Sequence, residues 1–308
     1  MFRYIVKRVL GIIPVLLVII TITFFLVRFA PGGPFSSEKQ LPDEIIKNLE
    51  KKFHMDQSLP VQYLYYLAMI SGGDLGPSMK YHNKSVNDII GETFPVSLRI
   101  GFLAMLIAIF IGTTVGFIAA LHHNSTIDYM CMSFAILGIS VPNMVLGPIL
   151  AVFFGVYLGW LPVANWGGYS HYVLPVTTLS CYYIAIVARI SRGSMLEVIN
   201  QDYIKTARSK GLSNWTIVTR HAIKGALLPI ISYCGPASAF IITGSIVIEQ
   251  IFGIPGVGRH FIMGAIDRDY TMVMGTVILV SLLVMCFNLL ADIAYCLVDP
   301  RINLHEEK

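Results

Sequence analysis

The chain has 308 residues, of which 55% are hydrophobic and only 13% are charged, and its formal net charge is +4. So few charged residues cannot cover the surface of a water-soluble globule of this length. The composition therefore excludes an ordinary soluble domain and favours a protein of the lipid bilayer.

Six apolar segments are each long enough to cross a bilayer as a helix, which takes about 20 residues. They run approximately over residues 9–29, 100–121, 130–157, 172–188, 227–252 and 271–297. The first segment follows three basic residues, as a signal peptide would, but it is too long for one and lacks a clean cleavage site. We interpret it as a retained first span, and the fold class as an all-α membrane protein with six transmembrane helices.

Prolines interrupt two of these segments. Pro142 and Pro148 lie in the third segment, and Pro236 lies in the fifth. Because proline lacks a backbone N–H and crowds the preceding turn, these residues predict a kink or a locally unwound turn in both helices. A membrane tolerates such breaks only where other helices or a water-filled path supply new hydrogen-bond partners.

Lysine and arginine in short loops predict orientation, because these residues resist translocation. Arg3, Lys7 and Arg8 place the amino terminus in the cytoplasm, and six crossings then place the loop at 189–226 and the carboxyl terminus on the same side. The basic residues of that loop are Arg189, Arg192, Lys205, Arg208, Lys210, Arg220 and Lys224. The outer loop at 159–171 has no lysine or arginine. The prediction is therefore an N-in, C-in topology.

This topology divides the chain into four parts. They are an N-terminal tail and first transmembrane helix at 1–30, an extracytoplasmic loop at 31–94, a five-helix core at 95–298 that contains the cytoplasmic loop, and a cytoplasmic tail at 299–308. Within the extracytoplasmic loop, a charged stretch at 43–53 and an aromatic-rich stretch at 62–70 are typical of helices.

The sequence contains no recognisable catalytic, metal-binding or nucleotide-binding motif. The five cysteines lie in apolar segments without CxxC spacing, and no HExxH or GxSxG pattern occurs. Ser36 and Lys39 make an SxxK spacing, but such short matches arise by chance and no partner motif follows. No GxxxxGKS or GxxxxGKT loop is present, so the chain cannot bind ATP in the P-loop manner. We expect no metal site, no cofactor and no enzyme activity in this chain, which also disfavours an intramembrane enzyme.

The apolar segments hold few ionisable residues, whereas ion-coupled carriers bury such residues near mid-membrane. Those near the ends of spans, where a side chain can reach the interface, are Arg28, Arg99, Glu249 and Asp292. Asn288 lies deeper and either makes an interhelical hydrogen bond or contacts substrate. Gly112 and Gly116 form a GxxxG pair that predicts close helix packing. These features indicate a transport path lined mostly by apolar and small side chains. The energy for transport would then come from a partner protein.

The cytoplasmic loop contains a row of residues at four-residue spacing that would lie along one helical face: Met195, Ile199, Tyr203 and Ala207. Gly211 supplies a left-handed stop, and Ser213 can cap a second helix that runs towards Leu227. The prediction is a short amphipathic helix, a sharp turn and a helix that continues into the membrane. A solvated loop is the plainer alternative. A DNA-binding helix-turn-helix is disfavoured, because both ends are tethered to the bilayer.

Several motifs resemble the permease subunits of ATP-binding-cassette importers. Ala207 and Gly211 in an AxxxG step, followed by Leu228 and Pro229, are similar to the signature called the EAA loop. Motifs that resemble the peptide-importer branch are RFAPG at 28–32, LPVQY at 59–63, GDLG at 73–76, ISVP at 139–142, QDY at 201–203, IPGVGR at 254–259, RDY at 268–270 and DPR at 299–301. GPS at 76–78, KY at 80–81 and SVND at 85–88 resemble the B-type subunits of oligopeptide importers.

The resemblance implies a type I importer permease fold and a specific assembly in the bacterial inner membrane. In it, a second homologous permease, two ATPase subunits that bind ATP and Mg, and an extracytoplasmic peptide-binding protein surround the permease. The helices of the extracytoplasmic loop are then a platform for the binding protein or the second permease. The expected function is ATP-driven import of peptides by alternating access, with no nucleic-acid partner.

The resemblance also assigns candidate site residues. The helix that contacts an ATPase would comprise Tyr203, Ile204, Lys205, Thr206, Ala207, Arg208, Lys210, Gly211 and Leu212. Lys205 stands where the general signature has glutamate. The proline breaks and the backbone polarity that they expose suggest candidates for the translocation path: Ser140, Pro142, Asn143, Pro236 and Ser238. A turn signal at 254–256 suggests Pro255 and Gly256 for an extracytoplasmic gate. Plain helix packing is the alternative for the path residues, and an ordinary loop for the gate residues.

Three function classes remain open from the sequence: an ATP-driven importer subunit, an ion-coupled carrier, and a scaffold or receptor. Within the first class, oligopeptide, dipeptide and nickel importers are alternatives.

Overall fold

A computed structural model describes residues 2–34, 42–81, 83–243 and 246–298. These residues form helices joined by short loops, and their only β-pairing is an isolated bridge between Pro77 and Ser85. The predicted all-α class is confirmed. The SxxK pair at Ser36 and Lys39 and the tail at 299–308 lie outside the described residues.

Long helices able to cross a membrane alternate with shorter ones along the chain. In the first half the helices are α1 (Phe2–Phe29), α2 (Asp43–Lys52), α3 (Leu59–Ser71), α4 (Val86–Leu121), α5 (Thr126–Ser140) and α6 (Asn143–Leu150), which continues as a π-helix over Ala151–Tyr157. In the second half they are α7 (Ser170–Ile199), α8 (Asp202–Ser209), α9 (Asn214–Thr216) with a π-helix over Ile217–Ala222, α10 (Ile223–Ile242), α11 (Ile246–Ile251), α12 (Gly258–Ile266) and α13 (Tyr270–Val298).

Among the described residues, five helical stretches and one bent pair are long and apolar enough to span a membrane. The five are Arg8–Phe29, Val86–Leu121, Ser170–Ile199, Asn214–Ile251 and Tyr270–Val298. The pair is Thr126–Ser140 with Asn143–Tyr157, bent by 101°. The six predicted spans therefore match, and the helices of the second, fourth and fifth spans extend well beyond the predicted apolar segments.

One of the three prolines, Pro142, lies at a break of a span. Pro142 lies at the sharp bend of the third span, between α5 and α6. Pro148 is inside α6, just before the π-helix. No unwinding occurs at Pro236, because α10 is α-helical through both Pro229 and Pro236, and a kink there stays a prediction. The irregular part of the fifth span lies nearer its start, in the π-helix over Ile217–Ala222.

The described residues group into two compact units. The first is Met1–Pro95 with Gly256–Leu282, and the second is Val96–Pro255 with Leu283–Lys308. In the first unit, α1, α3 and the start of α13 share an apolar core whose buried members are Ile20, Phe24, Tyr66, Met274 and Ile278. Both helices predicted within the extracytoplasmic loop are present, as α2 and α3.

Polar side chains of the first unit are held inside it. The Arg28 guanidinium lies 4.3 Å from the ring centroid of Phe24, and its Nε donates to Gln62 Oε1 at 2.6 Å. Arg28 therefore contacts Phe24 and Gln62 inside the first unit. Its place near the end of an apolar segment predicts instead a side chain that extends towards the membrane interface. Asp269 is buried and accepts hydrogen bonds from the Ser78 hydroxyl and, at 3.0 Å, from the Met272 backbone N–H. These bonds fasten the segment after α3 to the start of α13.

The second unit is organised around α7, which packs against α5, α6 and α10. The predicted GxxxG contact is confirmed, because a Cβ added to Gly112 would lie 2.8 Å from Val187 Cβ and one added to Gly116 would lie 2.5 Å from Ser191 Cβ. The two glycines therefore let α4 approach α7 closely.

Candidate functional site

The segment between α7 and the fifth span forms a helix, a glycine turn and a capped second helix. In α8 the acidic Asp202 lies in the first turn and the basic Arg208 in the last, which suits the helix dipole. Gly211 has φ +76°, and its backbone N–H donates to Arg208 O at 2.9 Å. The Ser213 hydroxyl then accepts from the Thr216 N–H at 3.2 Å. The predicted glycine stop and serine cap are both confirmed.

One face of α8 is buried in the second unit. Ile204 is fully buried and Ala207 nearly so, in a cluster with Met195 and Val198 of α7. The rest of that cluster comes from Ala120 of α4 and from Ile217, Ala222 and Ala226 of the fifth span. α8 therefore shares one close-packed core with α7 and with the start of the fifth span.

The predicted four-residue row is not a single helical face. The chain leaves the helix at Asn200 and Gln201, so Met195 and Ile199 belong to α7, whereas Tyr203 and Ala207 belong to α8. Tyr203 is 48% exposed, and Ile204 takes the buried place beside Ala207. The four-residue period continues across the end of α7, which no proline or glycine marks. The sequence therefore does not reveal that the buried face of α8 begins at Ile204 and not at Tyr203.

The outward face of α8 and the turn after it are exposed and basic. The exposed predicted residues are Tyr203, Lys205, Thr206, Arg208, Lys210, Gly211 and Leu212. Lys205 Nζ lies 2.9 Å from Asp202 Oδ1, and both side chains are largely exposed. Such a surface ion pair contributes little free energy, so Lys205 can exchange Asp202 for an acidic partner. Partial burial raises the pKa of the Tyr203 hydroxyl, which stays neutral at physiological pH.

Sequence reasoning missed Trp215, which is 78% exposed in the second position after the capping Ser213. An exposed tryptophan beside a basic surface is typical of an interaction site, because tryptophan is enriched among residues that dominate binding energy. The available signal was a large aromatic residue in the first turn after a predicted helix cap.

Sequence reasoning also missed a buried ion pair between α5 and α7. Asp128 is 1% exposed, and its two carboxylate oxygens accept from Arg192 Nε at 2.6 Å and Nη2 at 2.7 Å. The Asn124 backbone N–H donates to Asp128 Oδ2 at 3.0 Å, and His123 Nδ1 lies 3.4 Å from the same oxygen. No sequence pattern signals a pair whose members stand 64 positions apart.

The predicted path residues lie on two separate elements. Ser140, Pro142 and Asn143 stand together at the break of the third span, where Ser140 and Pro142 are exposed. Pro236 and Ser238 lie in α10, and Ser238 is buried. Both α6 and α10 pack on α7, so α7 is the neighbour that the two groups share.

The residues proposed as a gate follow a turn at the end of α11. Gly253 has φ +61°, and its neighbour Phe252 accepts a hydrogen bond at 2.8 Å from the Asn165 backbone N–H. Pro255 is exposed and Gly256 is buried. The predicted turn is confirmed, and the role of a gate stays a prediction.

Glu249 differs from expectation. Its place near the end of an apolar segment predicts a side chain that reaches the membrane interface, but it is 4% exposed and accepts a hydrogen bond from the Ser97 hydroxyl at 2.6 Å. Tertiary packing of α4 against α11 buries it. Among the described residues, no three histidine, cysteine or acidic side chains come together as metal ligands.

Comparison with known proteins identifies the family. A family model described as "Binding-protein-dependent transport system inner membrane component" matches residues 112–304, and the corresponding N-terminal model matches residues 1–101. The chain is 48% identical to the oligopeptide transport system permease protein OppB of Haemophilus influenzae, over 98% of this chain and all of the relative. It is 45% identical to the dipeptide transport system permease protein DppB of Bacillus subtilis over the full length of both.

Solved structures show the same fold. A chain of the MetNI methionine ABC transporter in an inward-facing conformation superposes with a TM-score of 0.58 at 17% identity, covering 68% of this chain and 96% of that one. A chain of an amino acid ABC transporter crystallised with histidines gives a TM-score of 0.54 at 16% identity, covering 75% of this chain and 97% of that one. The chain therefore belongs to the family of inner membrane components of binding-protein-dependent transport systems, and it has the fold of ABC importer permeases.

Proposed function

We propose that the chain is the transmembrane permease subunit of an ATP-driven importer that carries oligopeptides across the inner membrane. The main support for the proposal is the identity of 46–48% with oligopeptide permeases over nearly the whole chain. The structure adds an exposed helix, α8, that shares a core with two spans. The chain supplies the path, and partner subunits bind ATP and Mg and hydrolyse the nucleotide.

In this proposal α8 is the coupling helix, and the amino and carboxyl termini face the cytoplasm. The exposed basic face of α8, the Gly211 turn and Leu212 would seat in a groove on one ATPase subunit. Ile204 and Ala207 face the other way, into the core shared with α7 and the fifth span. A movement of the ATPase would therefore reach the spans through packed side chains and not through a flexible loop.

The energy required is within reach of nucleotide binding. Converting a 1:99 preference for one conformation to 99:1 takes about 5.5 kcal/mol of differential affinity. ATP bound between two ATPase subunits can supply this amount if the closed arrangement favours the outward-open state of the permease. The chain itself then needs no buried ionisable group for coupling to ions.

The break in the third span is the best candidate for part of the translocation path. Ser140, Pro142 and Asn143 place a hydroxyl, a side-chain amide and non-helical backbone at one point of a span. Backbone polarity of this kind suits the main chain of a peptide whatever its side chains. Pro236 and Ser238 in α10 support this role less, because α10 stays helical through Pro236 and Ser238 is buried. Pro255 and Gly256 would form part of an extracytoplasmic gate.

The complete transporter would contain a second homologous permease, two ATPase subunits and an extracytoplasmic peptide-binding protein. The second candidate function is dipeptide import, which the 45% identity to a dipeptide permease favours. Nickel import and ion-coupled transport rank lower, because no described feature of the chain favours either one over peptides.

Uptake by the reconstituted transporter separates these functions. The complex is placed in vesicles with ATP inside and the binding protein outside, and labelled dipeptides, tetrapeptides and nickel are supplied in turn. We expect ATP-dependent uptake of tetrapeptides that persists when an uncoupler removes the proton gradient. Collapse of uptake with the uncoupler would support an ion-coupled carrier, and uptake of dipeptides alone would support the second candidate.

Gly211→Pro tests the role of α8. Proline cannot adopt the φ of +76° seen at Gly211, so the turn must reorganise and α8 must tilt away from its seat. We expect membrane insertion to remain and peptide-stimulated ATP hydrolysis to disappear. Gly211→Asn is the matched control, because asparagine tolerates the left-handed region and should keep most of the activity. Retained uptake in the Gly211→Pro variant would count against α8 as the coupling helix.

A further inference from the structure

The ion pair between Asp128 and Arg192 lies at one end of the contact between α5 and α7. It is bidentate and almost fully buried at Asp128, whereas the Arg192 side chain is 26% exposed. The Asn124 backbone N–H and His123 Nδ1 also contact the carboxylate. Bidentate pairs of this kind are among the most directional polar contacts that a protein makes. They therefore restrain the relative position of the two side chains as well as attracting them to each other.

The buried part of the remaining α5–α7 contact consists of small residues, and the partly buried Met132 and Ile139 of α5 pack against it. Its buried members are Ala135, Ala185 and Ala188. A Cβ added to Gly138 would lie 3.1 Å from both Ala185 Cβ and Cys181 O. The partners on α7 descend from residue 192 to residue 181 as α5 ascends from 128 to 138, so the two helices run antiparallel. Small side chains allow close approach but offer weak resistance to sliding along the helix axis, because they form shallow ridges.

The two helices joined by the pair lead to two different functional elements. Three residues after Arg192, α7 enters the core that holds Ile204 and Ala207 of α8. At its other end, α5 stops at Ser140, beside the 101° break. Asp128 and Ser140 are twelve positions apart, which is about 18 Å along a helix. An axial shift of α5 at the ion pair would thus appear undiminished at the break.

We infer that Asp128 and Arg192 are positioning residues that fix the axial register of α5 on α7, so that a displacement of α8 reaches the break at Pro142 without slippage. This inference rests on the proposed transport function and on α8 as its driving point. Buried ion pairs contribute little net stability compared with apolar replacements, and their best-attested use is to specify register. The α5–α7 contact beside this pair has small buried side chains, so a bidentate pair there can restrain movement of α5 along α7.

The test separates register from stability. In the complete transporter, Asp128→Asn keeps the shape of the side chain and removes the charge. We expect the number of ATP molecules hydrolysed per peptide imported to rise by about fivefold or more. Arg192→Lys keeps the charge but loses the bidentate fork, so a smaller rise in the same direction is expected. Ser194→Ala is the control, because Ser194 lies on the same helix as Arg192 and the change removes its buried hydrogen bond of 2.9 Å to Ala226 O of α10. This change should leave the ratio unchanged.

The register itself can be measured with two spin labels. Ile127→Cys and Gly193→Cys place labels beside the two ion-pair residues, and both positions are exposed, with open space around Gly193. With the native cysteines replaced, we expect one narrow distance distribution in the otherwise unchanged chain. In the Asp128→Asn chain we expect a second population, displaced by about one helical turn of 5.4 Å.

Either an unchanged ratio or an unchanged distance distribution in the Asp128→Asn chain overturns the inference. If that variant fails to assemble, the same two measurements on Arg192→Lys decide the matter in the same way. If the unaltered complex imports no peptide, the proposed function fails, while the spin-label distances still test whether the pair sets the register.

Discussion

The third and fifth spans both contain two prolines, yet among the described residues only the third span breaks at one of them. Its helices α5 and α6 meet at 101° around Val141 and Pro142. In the fifth span α10 continues through Pro229 and Pro236 without losing its helical assignment. Proline therefore permits a break, and the surroundings of each proline decide whether one forms.

The residues beside the prolines explain part of the difference. Val141 is extended, with φ −90° and ψ 113°, and a β-branched residue before proline disfavours the helical conformation. Pro142 then starts α6, because its carbonyl accepts from the Val145 N–H at 2.9 Å. Gly235 precedes Pro236 without a Cβ to clash with the ring, and it packs closely against Ala291. Leu228 precedes Pro229 in an equally continuous helix, so packing contributes as well as local sterics.

The largest expected effect comes from removing the proline at the break. Pro142→Ala should favour a continuous helix, because alanine is about 3 kcal/mol better than proline in a helix interior. We expect peptide uptake to fall at least about tenfold, since each 1.4 kcal/mol towards the straight form changes the ratio of forms about tenfold. Pro236→Ala is the matched control and should keep uptake within about twofold, because α10 is already helical. Equal losses in the two variants would show that the break is not what distinguishes the spans.

An intermediate effect is expected where the fifth span packs tightly. A Cβ added to Gly235 would lie 2.7 Å from Ala291 Cβ, so Gly235→Ala forces the helices apart. Overpacking of this kind costs about 1–3 kcal/mol and should lower the midpoint of thermal unfolding in detergent. Gly193→Ala, where nothing lies within 4 Å of the new Cβ, should leave the midpoint unchanged or raise it. A larger fall in the unfolding midpoint for Gly193→Ala than for Gly235→Ala would contradict the interpretation that close packing keeps α10 continuous.

The smallest effect is expected at the helix caps, where the two spans are alike. The Asp128 N–H donates to Ser125 Oγ at 3.4 Å, and the Thr216 N–H donates to Ser213 Oγ at 3.2 Å. Ser125→Ala and Ser213→Ala should each cost about 0.5–1 kcal/mol, seen as faster amide hydrogen exchange in the first turn of the capped helix. A much larger loss of helix stability in only one of the two variants would show that the third and fifth spans differ at their capped ends and not only at their prolines.

Some of these features can be predicted from short stretches of sequence. The Gly211 turn and the Ser213 cap are predicted correctly, because a left-handed turn and an unsatisfied helix N–H are local requirements. The bend at Pro142 is predictable for the same reason. The prediction for the buried face of α8 is wrong, since the row through Tyr203 crosses a helix end where only the three-dimensional path of the chain shows which side faces α7.

Hydrophobic length by itself indicated that this chain belongs in a bilayer with up to six crossings, because the thickness of the apolar layer sets the length of each helix. Tertiary structure decided what the polar residues do inside it. Glu249 is buried against Ser97, and Asp128 pairs with Arg192, because folding brings together segments that are far apart in the chain. Burial and pairing depend on those distant neighbours, whereas turns, caps and spans depend on the residues next to them.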